Sequence, residues 1–233
     1  MKTSRMYLTV QHGPHPEDFS RIRDALFRAF PGNANALYLS QLMKNQISAI
    51  TTARLGALLL LSSLSQAVGV DTCSLLLARD DRGRPYVTDK TGKRPFDFNL
   101  SHSSEEIACA LLTGGGRVGI DVEDRVPDDR AKRLMDRFGT PNEREMLPRF
   151  SGFGSAWTFF WTVREALGKQ EGRGEPLRYD AACPPENVQI WTGYVPGRTS
   201  RLTVCVPREA VFDPQIPDSS LPIMLQKHEK LLL

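Results

Sequence analysis

The stretch Val118-Gly119-Ile120-Asp121-Val122-Glu123 alternates apolar residues with small or acidic ones at a period of two. That is the pattern of a half-buried strand, with Val118, Ile120 and Val122 on one face and Gly119, Asp121 and Glu123 on the other. Two carboxylates two positions apart on one face stand about 7 Å from each other, within reach of a single hard cation. Downstream, Trp161-Thr162-Val163-Arg164-Glu165-Ala166-Leu167-Gly168-Lys169 reads as a helix. Helical spacing then puts Trp161, Glu165 and Lys169 in one row. Three carboxylates and a lysine able to converge suggest a magnesium site that handles a phosphate ester. The plainer alternatives are solvated acids at a strand end and an exposed helical ion pair, which stabilises by roughly 0.3–0.5 kcal/mol. Trp161 in the same row argues against a purely solvated face.

Working outward, residues 5–11 and 96–101, with Ile107 to Thr113, read as strands, and Ser103 to Glu106 as the turn between the last two. Glu17 to Phe30 reads as an amphipathic helix stopped by Pro31-Gly32, and Leu42 to Val68 as one long helix with its leucines inward. Cys73 to Leu77 is strand-like, and Asp80 to Pro85 is a turn leading into Tyr86-Val87. Gly114-Gly115-Gly116 is the clearest punctuation, either a hairpin tip or the joint between two halves, residues 1–113 and 114–233. The second half repeats the style of the first: strand 117–123, helical 130–149, helix 155–169, then strands near 187–195 and 200–207. The expected class is α+β, helices packed on small antiparallel sheets.

A chain of 233 residues can bury a real core, and 40% hydrophobic with 24% charged residues is ordinary for a globular protein. The net charge of +3 is too small to argue for nucleic acid, and merely permits an anionic substrate or an acidic partner. Arg130, Lys132, Arg133 and Arg137 carry no interleaved aromatics, so a docking face for an acidic protein is the better use of that cluster. Cys73, Cys109, Cys183 and Cys205 lack zinc or redox spacing, which predicts reduced thiols and a cytoplasmic setting. No secretory signal is expected, because Met1 to Val10 holds no long apolar core. The most apolar run, Leu55 to Leu64, is about half the length that spans a bilayer, so no membrane role is expected.

These pieces together resemble the Sfp-type 4′-phosphopantetheinyl transferases. The resemblance rests on Gly83-Arg84-Pro85, Phe98-Asn99-Leu100-Ser101-His102-Ser103, Gly119 to Glu123, Arg137-Phe138 with Glu143 to Leu147, and Phe160-Trp161 through Lys169 to Gly174. It covers roughly residues 80 to 175, with the motifs in the family's order and spacing. It implies two similar α/β halves related by a pseudo-twofold axis, with coenzyme A in the cleft between them. It further implies that Asp121, Glu123 and Glu165 hold Mg²⁺ and that Lys169 contacts the bridging phosphates. Ser101 and His102 would contact phosphate, and Arg84 with Pro85 would lie beside the adenine. Arg54, and less securely placed Lys44, would meet the 3′-phosphate. The implied reaction moves the phosphopantetheine arm of coenzyme A onto a serine of an acyl or peptidyl carrier protein. Glu165, or a water it orients, would act as base and 3′,5′-ADP would leave.

Two positions depart from the family's pattern. Arg164 stands where lysine is usual, which would rearrange contacts around the metal site, and Gly168 weakens its helix by up to roughly 1 kcal/mol. These departures, with few basic residues near 44–54, motivate a competing expectation: a coenzyme A or carrier-protein binding module without catalysis. A nucleotide phosphotransferase of another kind lacks a Walker-type phosphate loop. Carrier identity stays open between secondary metabolism and fatty-acid synthesis. A monomer is the default, because both halves lie in one chain.

Overall fold

The structure is a computed structural model that describes residues 3–43, 48–173, 175–195, 197–212 and 226–227. The chain opens with strand β1 (Arg5–His12), followed by helices α1 (Phe19–Ala29), α2 (Asn33–Met43) and α3 (Ala49–Ala67). A hairpin of β2 (Leu76–Arg79) and β3 (Pro85–Thr88) precedes β4 (Asp97–His102) and β5 (Glu106–Thr113). Strand β6 (Gly119–Glu123) leads to helices α4 (Asp128–Phe138), α5 (Pro141–Met146) and α6 (Phe153–Glu171). Strands β7 (Val188–Tyr194), β8 (Arg201–Pro207), β9 (Val211–Phe212) and β10 (Gln226–Lys227) complete the described elements.

Two four-stranded sheets form the centre, in the orders β4-β5-β1-β9 and β10-β7-β8-β6. Their pairings are antiparallel, apart from the short parallel contact of β9 with β1. The period of two sorts each strand between layers. Ile107, Cys109 and Leu111 of β5 face a core built with α1, α2 and α3, while Ala108, Ala110 and Leu112 face the second sheet. Val118, Ile120 and Val122 meet them from that side, beside Leu202, Val204 and Val206 of β8. The outer face of the second sheet is covered by α4 and α6 through Met135, Phe160 and Val163. The layers therefore run helices, sheet, sheet, helices, and the mixed class expected from the sequence is the observed one. Each fully buried leucine in α3 stabilises by about 1.5–3 kcal/mol. No described helix is long and apolar enough to cross a membrane.

Several boundaries differ from expectation. The long helix expected over Leu42 to Val68 is α3 alone, starting at Ala49 after Ser48, whose side chain accepts from Thr51 N at 3.1 Å. Residues 33–43 form the separate helix α2, which the pattern did not reveal. Buried Asn35 fixes it, accepting from Leu77 N and donating to Leu75 O, both at 2.8 Å. Helical 130–149 breaks at Gly139-Thr140-Pro141, where Thr140 and Glu143 form a capping box that starts α5. Gly114-Gly115-Gly116 is the joint between the two sheets rather than a hairpin tip, because β5 and β6 are not paired. All three glycines take positive φ, at 82°, 112° and 87°. The four cysteines are free.

The sheets meet along an unusual seam. β4 and β6 are both edge strands, and side chains of one serve the backbone of the other. Asp97 Oδ2 accepts from Val118 N at 2.8 Å, Asn99 Oδ1 from Ile120 N at 3.0 Å, and Ser101 Oγ from Val122 N at 3.2 Å. Alternate residues of β4 thus satisfy alternate amides that an edge strand would leave open. This ladder sets β6, with its acids, beside the end of β4 that carries Ser101 and His102.

On the other side, β6 touches α6 closely. A Cβ at Gly119 would stand 1.9 Å from Ala166 O and 2.6 Å from Gln170 N. Gly119→Ala is expected to push α6 outward and cost at least about 1–3 kcal/mol. Urea denaturation checks this: the midpoint should fall with an unchanged slope. An unshifted midpoint contradicts the close approach.

Candidate active site

One cleft of about 560 Å³ opens where β4, β6, α3 and α6 converge. That is the size range of pockets for small-molecule ligands. It is lined by Arg54, Pro85, Ser101, His102, Asp121, Glu123, Glu165 and Lys169, residues that the sequence singled out from five separate segments. The row Trp161, Glu165, Lys169 is the half-buried stripe of α6, while residues 162–164 and 166–168 are buried. Lys44 lies outside the described residues.

The floor of the cleft is a tight polar cluster. Lys169 Nζ donates to Asp121 Oδ1 at 2.6 Å and lies 3.3 Å from Ser101 Oγ, which itself donates to Asp121 Oδ1 at 3.0 Å. Asp121 is 3% exposed, and its Oδ2 is buried without a hydrogen-bond partner. Burial first, then the charges of Asp121 and Glu165, push the Glu123 carboxyl up to about 7, although the Trp161 indole hydrogen-bonds to it and Lys169 pulls the other way. Glu165 is also held above the usual carboxylate range, by burial and then by Asp121. His102 sits below the usual histidine range because of burial first, then the positive charges of Arg54 and Lys169.

Among the described residues no three His, Cys, Asp or Glu side chains already close around a metal-sized point. Asp121, Glu123 and Glu165 share the cleft without converging. Their chemistry nonetheless fits a hard divalent cation: every donor is an anionic oxygen, one buried oxygen is orphaned, and the carboxylates destabilise one another's charge. Lys169 is the positive charge that offsets this repulsion in the chain alone.

Two expectations take a different form. The Arg84 guanidinium, expected beside an adenine, has protein partners instead: Asp97, the carbonyls of Phe98 and Val118, and that of Lys169. Arg164, expected to disturb the metal site, points away from it. It is 1% exposed and paired with fully buried Glu143, with Arg164 Nε donating to Glu143 Oε1 at 2.9 Å. The sequence reading missed Tyr38 and Arg79 on the opposite wall, where the Arg79 guanidinium lies 5.8 Å from the Tyr38 ring. Neither carries a local signal, because α2 and β2 reach the cleft only through tertiary packing.

A second hollow of about 500 Å³ shares Glu123 and Trp161 with the first. Trp157 and Trp161 stack with ring centres 5.9 Å apart, and Leu134 and Phe138 add apolar lining, while Arg125 and Arg130 bring charge. In the basic cluster of α4, Lys132 pairs with Asp136 at 2.7 Å and Arg133 with Asp129 at 3.3 Å, so half of that charge is offset within the helix.

Comparison with known proteins gives a consistent result. The profile of the 4′-phosphopantetheinyl transferase superfamily matches residues 117–189, which include β6 and α6. The chain is 32% identical over 118 residues to the 4′-phosphopantetheinyl transferase HetI of Nostoc sp., covering 50% of this chain and 49% of that protein. It is 32% identical over 124 residues to the 4′-phosphopantetheinyl transferase gsp of Aneurinibacillus migulanus, covering 52% and 48%. With the 4′-phosphopantetheinyl transferase AcpT of Salmonella typhi it shares 30% over 140 residues, covering 58% and 69%. The chain thus spans about half the length of the first two relatives and more than two thirds of the third.

Proposed function

The chain belongs to the 4′-phosphopantetheinyl transferase superfamily, and on that premise we propose that it transfers the phosphopantetheine arm of coenzyme A to a serine of an acyl or peptidyl carrier protein. The observation that carries this reading is that Ser101, His102, Asp121, Glu123, Glu165 and Lys169 line one cleft, which is large enough for the diphosphate portion of the substrate. In this reaction the serine Oγ forms a bond to the β-phosphorus of coenzyme A. The bond from that phosphorus to the bridging oxygen breaks, and 3′,5′-ADP carries the electron pair away.

Glu165 is the residue suited to take the serine proton, directly or through a water it orients, because its carboxylate lines the cleft beside Lys169. Lys169 Nζ, mounted one helical turn further on, is suited to stabilise charge on the departing phosphate oxygen. His102, with Arg54 behind it, would donate to phosphate oxygens. Asp121, Glu123 and Glu165 would hold Mg²⁺, which supplies neutralisation of the diphosphate when bound. Arg130 borders the second hollow beside Glu123, and with Arg137 it offers the charge to meet an acidic carrier next to the reacting phosphate. Arg84 is left out of the coenzyme A contacts, its guanidinium being engaged elsewhere.

Mass spectrometry of apo carrier proteins incubated with the chain, coenzyme A and Mg²⁺ tests the reading. A phosphopantetheine mass gain on at least one carrier class is expected. Coenzyme A binding with no gain on any carrier would favour a binding module, and no binding would end the proposal.

A pH dependence follows from His102. Its depressed value leaves it neutral at pH 7, and a phosphate brought beside it favours the charged form. Affinity for coenzyme A should therefore gain a favourable contribution as pH falls through the raised, liganded value, and the gain should stop below the free value. Calorimetry of wild type against His102→Gln isolates it from the titration of the substrate's own phosphate. Identical pH profiles for the two proteins would remove His102 from the phosphate site.

A further inference from the structure

Arg84 precedes β3 at the edge of the cleft, where a cation invites assignment to the substrate. Its contacts say otherwise. Nη2 donates to Asp97 Oδ2 at 2.6 Å, to Val118 O at 2.8 Å and to Phe98 O at 3.0 Å, while Nη1 donates to the carbonyl of Lys169. The Arg84 and Asp97 side chains are 10% and 12% exposed, and Asp97 Oδ2 also accepts from Val118 N. These partners sit on the three pieces that build the reactive floor: β4, the residue leading into β6, and the last turn of α6. The planar fork of guanidinium donors is what allows one side chain to hold all three.

We propose that Arg84 is a positioning residue, whose guanidinium locks the last turn of α6 to β4 and β6 and thereby holds Lys169 Nζ beside Asp121 and Ser101. The inference rests on the transferase reading for its effect on turnover, though not for its structural content. Lysine carries its ammonium on a flexible four-carbon stem, so the position of its own backbone decides where the charge can reach. Arg84 grips the carbonyl of that same residue, one of the helix-terminal carbonyls with no partner further along the helix. Among the described residues, Gly172 N donates to it at 3.2 Å. Glu165 lies one turn earlier on α6 and is carried along with it. A substrate-binding arginine and a positioning arginine predict opposite kinetic signatures.

Arg84→Ala, Arg84→Lys and Asp97→Asn are to be compared with wild type for kcat, for KM and calorimetric Kd toward coenzyme A, and for hydrogen exchange in residues 166–171. All three substitutions should lower kcat by roughly 10- to 100-fold, with KM and Kd for coenzyme A within about threefold. Arg84→Lys should fail to rescue, since it keeps the charge and loses the fork. Exchange in the last turn of α6 should rise about tenfold or more in each variant. The proposal is overturned if Arg84→Ala raises Kd or KM tenfold with kcat retained while Asp97→Asn is silent, or if exchange in that turn is unchanged. Should Arg84→Ala fail to fold, Arg84→Lys and Asp97→Asn carry the same comparison. A wild-type chain that transfers nothing sinks the transferase reading, whereas the exchange measurement still decides the clip.

Discussion

If the chain is a carrier-modifying transferase, Asp121→Asn should lower carrier modification by about 10²–10³-fold while leaving the fold intact. The substitution keeps the volume of a side chain that is 3% exposed and keeps an acceptor for Ser101 and Lys169. What it removes is the charge at the centre of the cluster. Three consequences follow from that one change. The orphaned Oδ2 is replaced by an amide that cannot serve a cation as an anionic ligand. Lys169 keeps an acceptor but loses its ion pair. Glu123 and Glu165 lose the neighbour that raises both of them, so each should titrate closer to an ordinary carboxylate. Mass spectrometry of the carrier reads the first effect, and carbon-detected titration of the glutamates reads the last. Turnover within a factor of two of wild type would remove the acidic cluster from the chemistry.

Glu143→Gln is expected to lower stability by about 3–5 kcal/mol, because it strands a buried guanidinium. Glu143 is 0% exposed and serves four donors. Its Oε1 accepts Arg164 Nε at 2.9 Å and Ala181 N at 3.1 Å, and its Oε2 accepts Thr140 N at 3.0 Å and Arg164 Nη2. The pair therefore ties α5 to α6 and to the loop before β7. Arg164 Nη1 already lacks a partner, so no spare contact is at hand to compensate. For a chain of this length the loss corresponds to a melting temperature lower by on the order of 10 °C. Replacing both members, as in Glu143→Leu with Arg164→Met, should cost less than Glu143→Gln alone, because no unpaired charge is left inside. A double variant no more stable than the single one would contradict the account. Turnover well below the melting point should survive in each, which separates this site from Asp121.

The two decisive segments were legible because each sets its charges at a strict period against apolar neighbours. Glu123 and Asp121 share a strand face, and Glu165 and Lys169 share a helix row, whatever the rest of the chain does. Helix α2 was not legible, since Leu37 on its exposed side is 62% accessible and blurs the apolar stripe. Its anchor, Asn35, bonds to residues about forty positions away, which no local pattern reports. The protein partners of Arg84 and Arg164 were not legible, for one shared reason. A cation in a motif shows that some anion or carbonyl is near, and only the fold shows whether that group is Asp97, Glu143 or a ligand. Tyr38 and Arg79 reach the cleft by packing alone.

The stitching of β4 to β6 leaves the protein with an adjustable joint. Because Asp97, Asn99 and Ser101 span the gap with side chains in place of main-chain bonds, the width of the crevice depends on how long those side chains are. Lengthening Asn99, which itself lines the cleft, to glutamine by one methylene would spread its two walls.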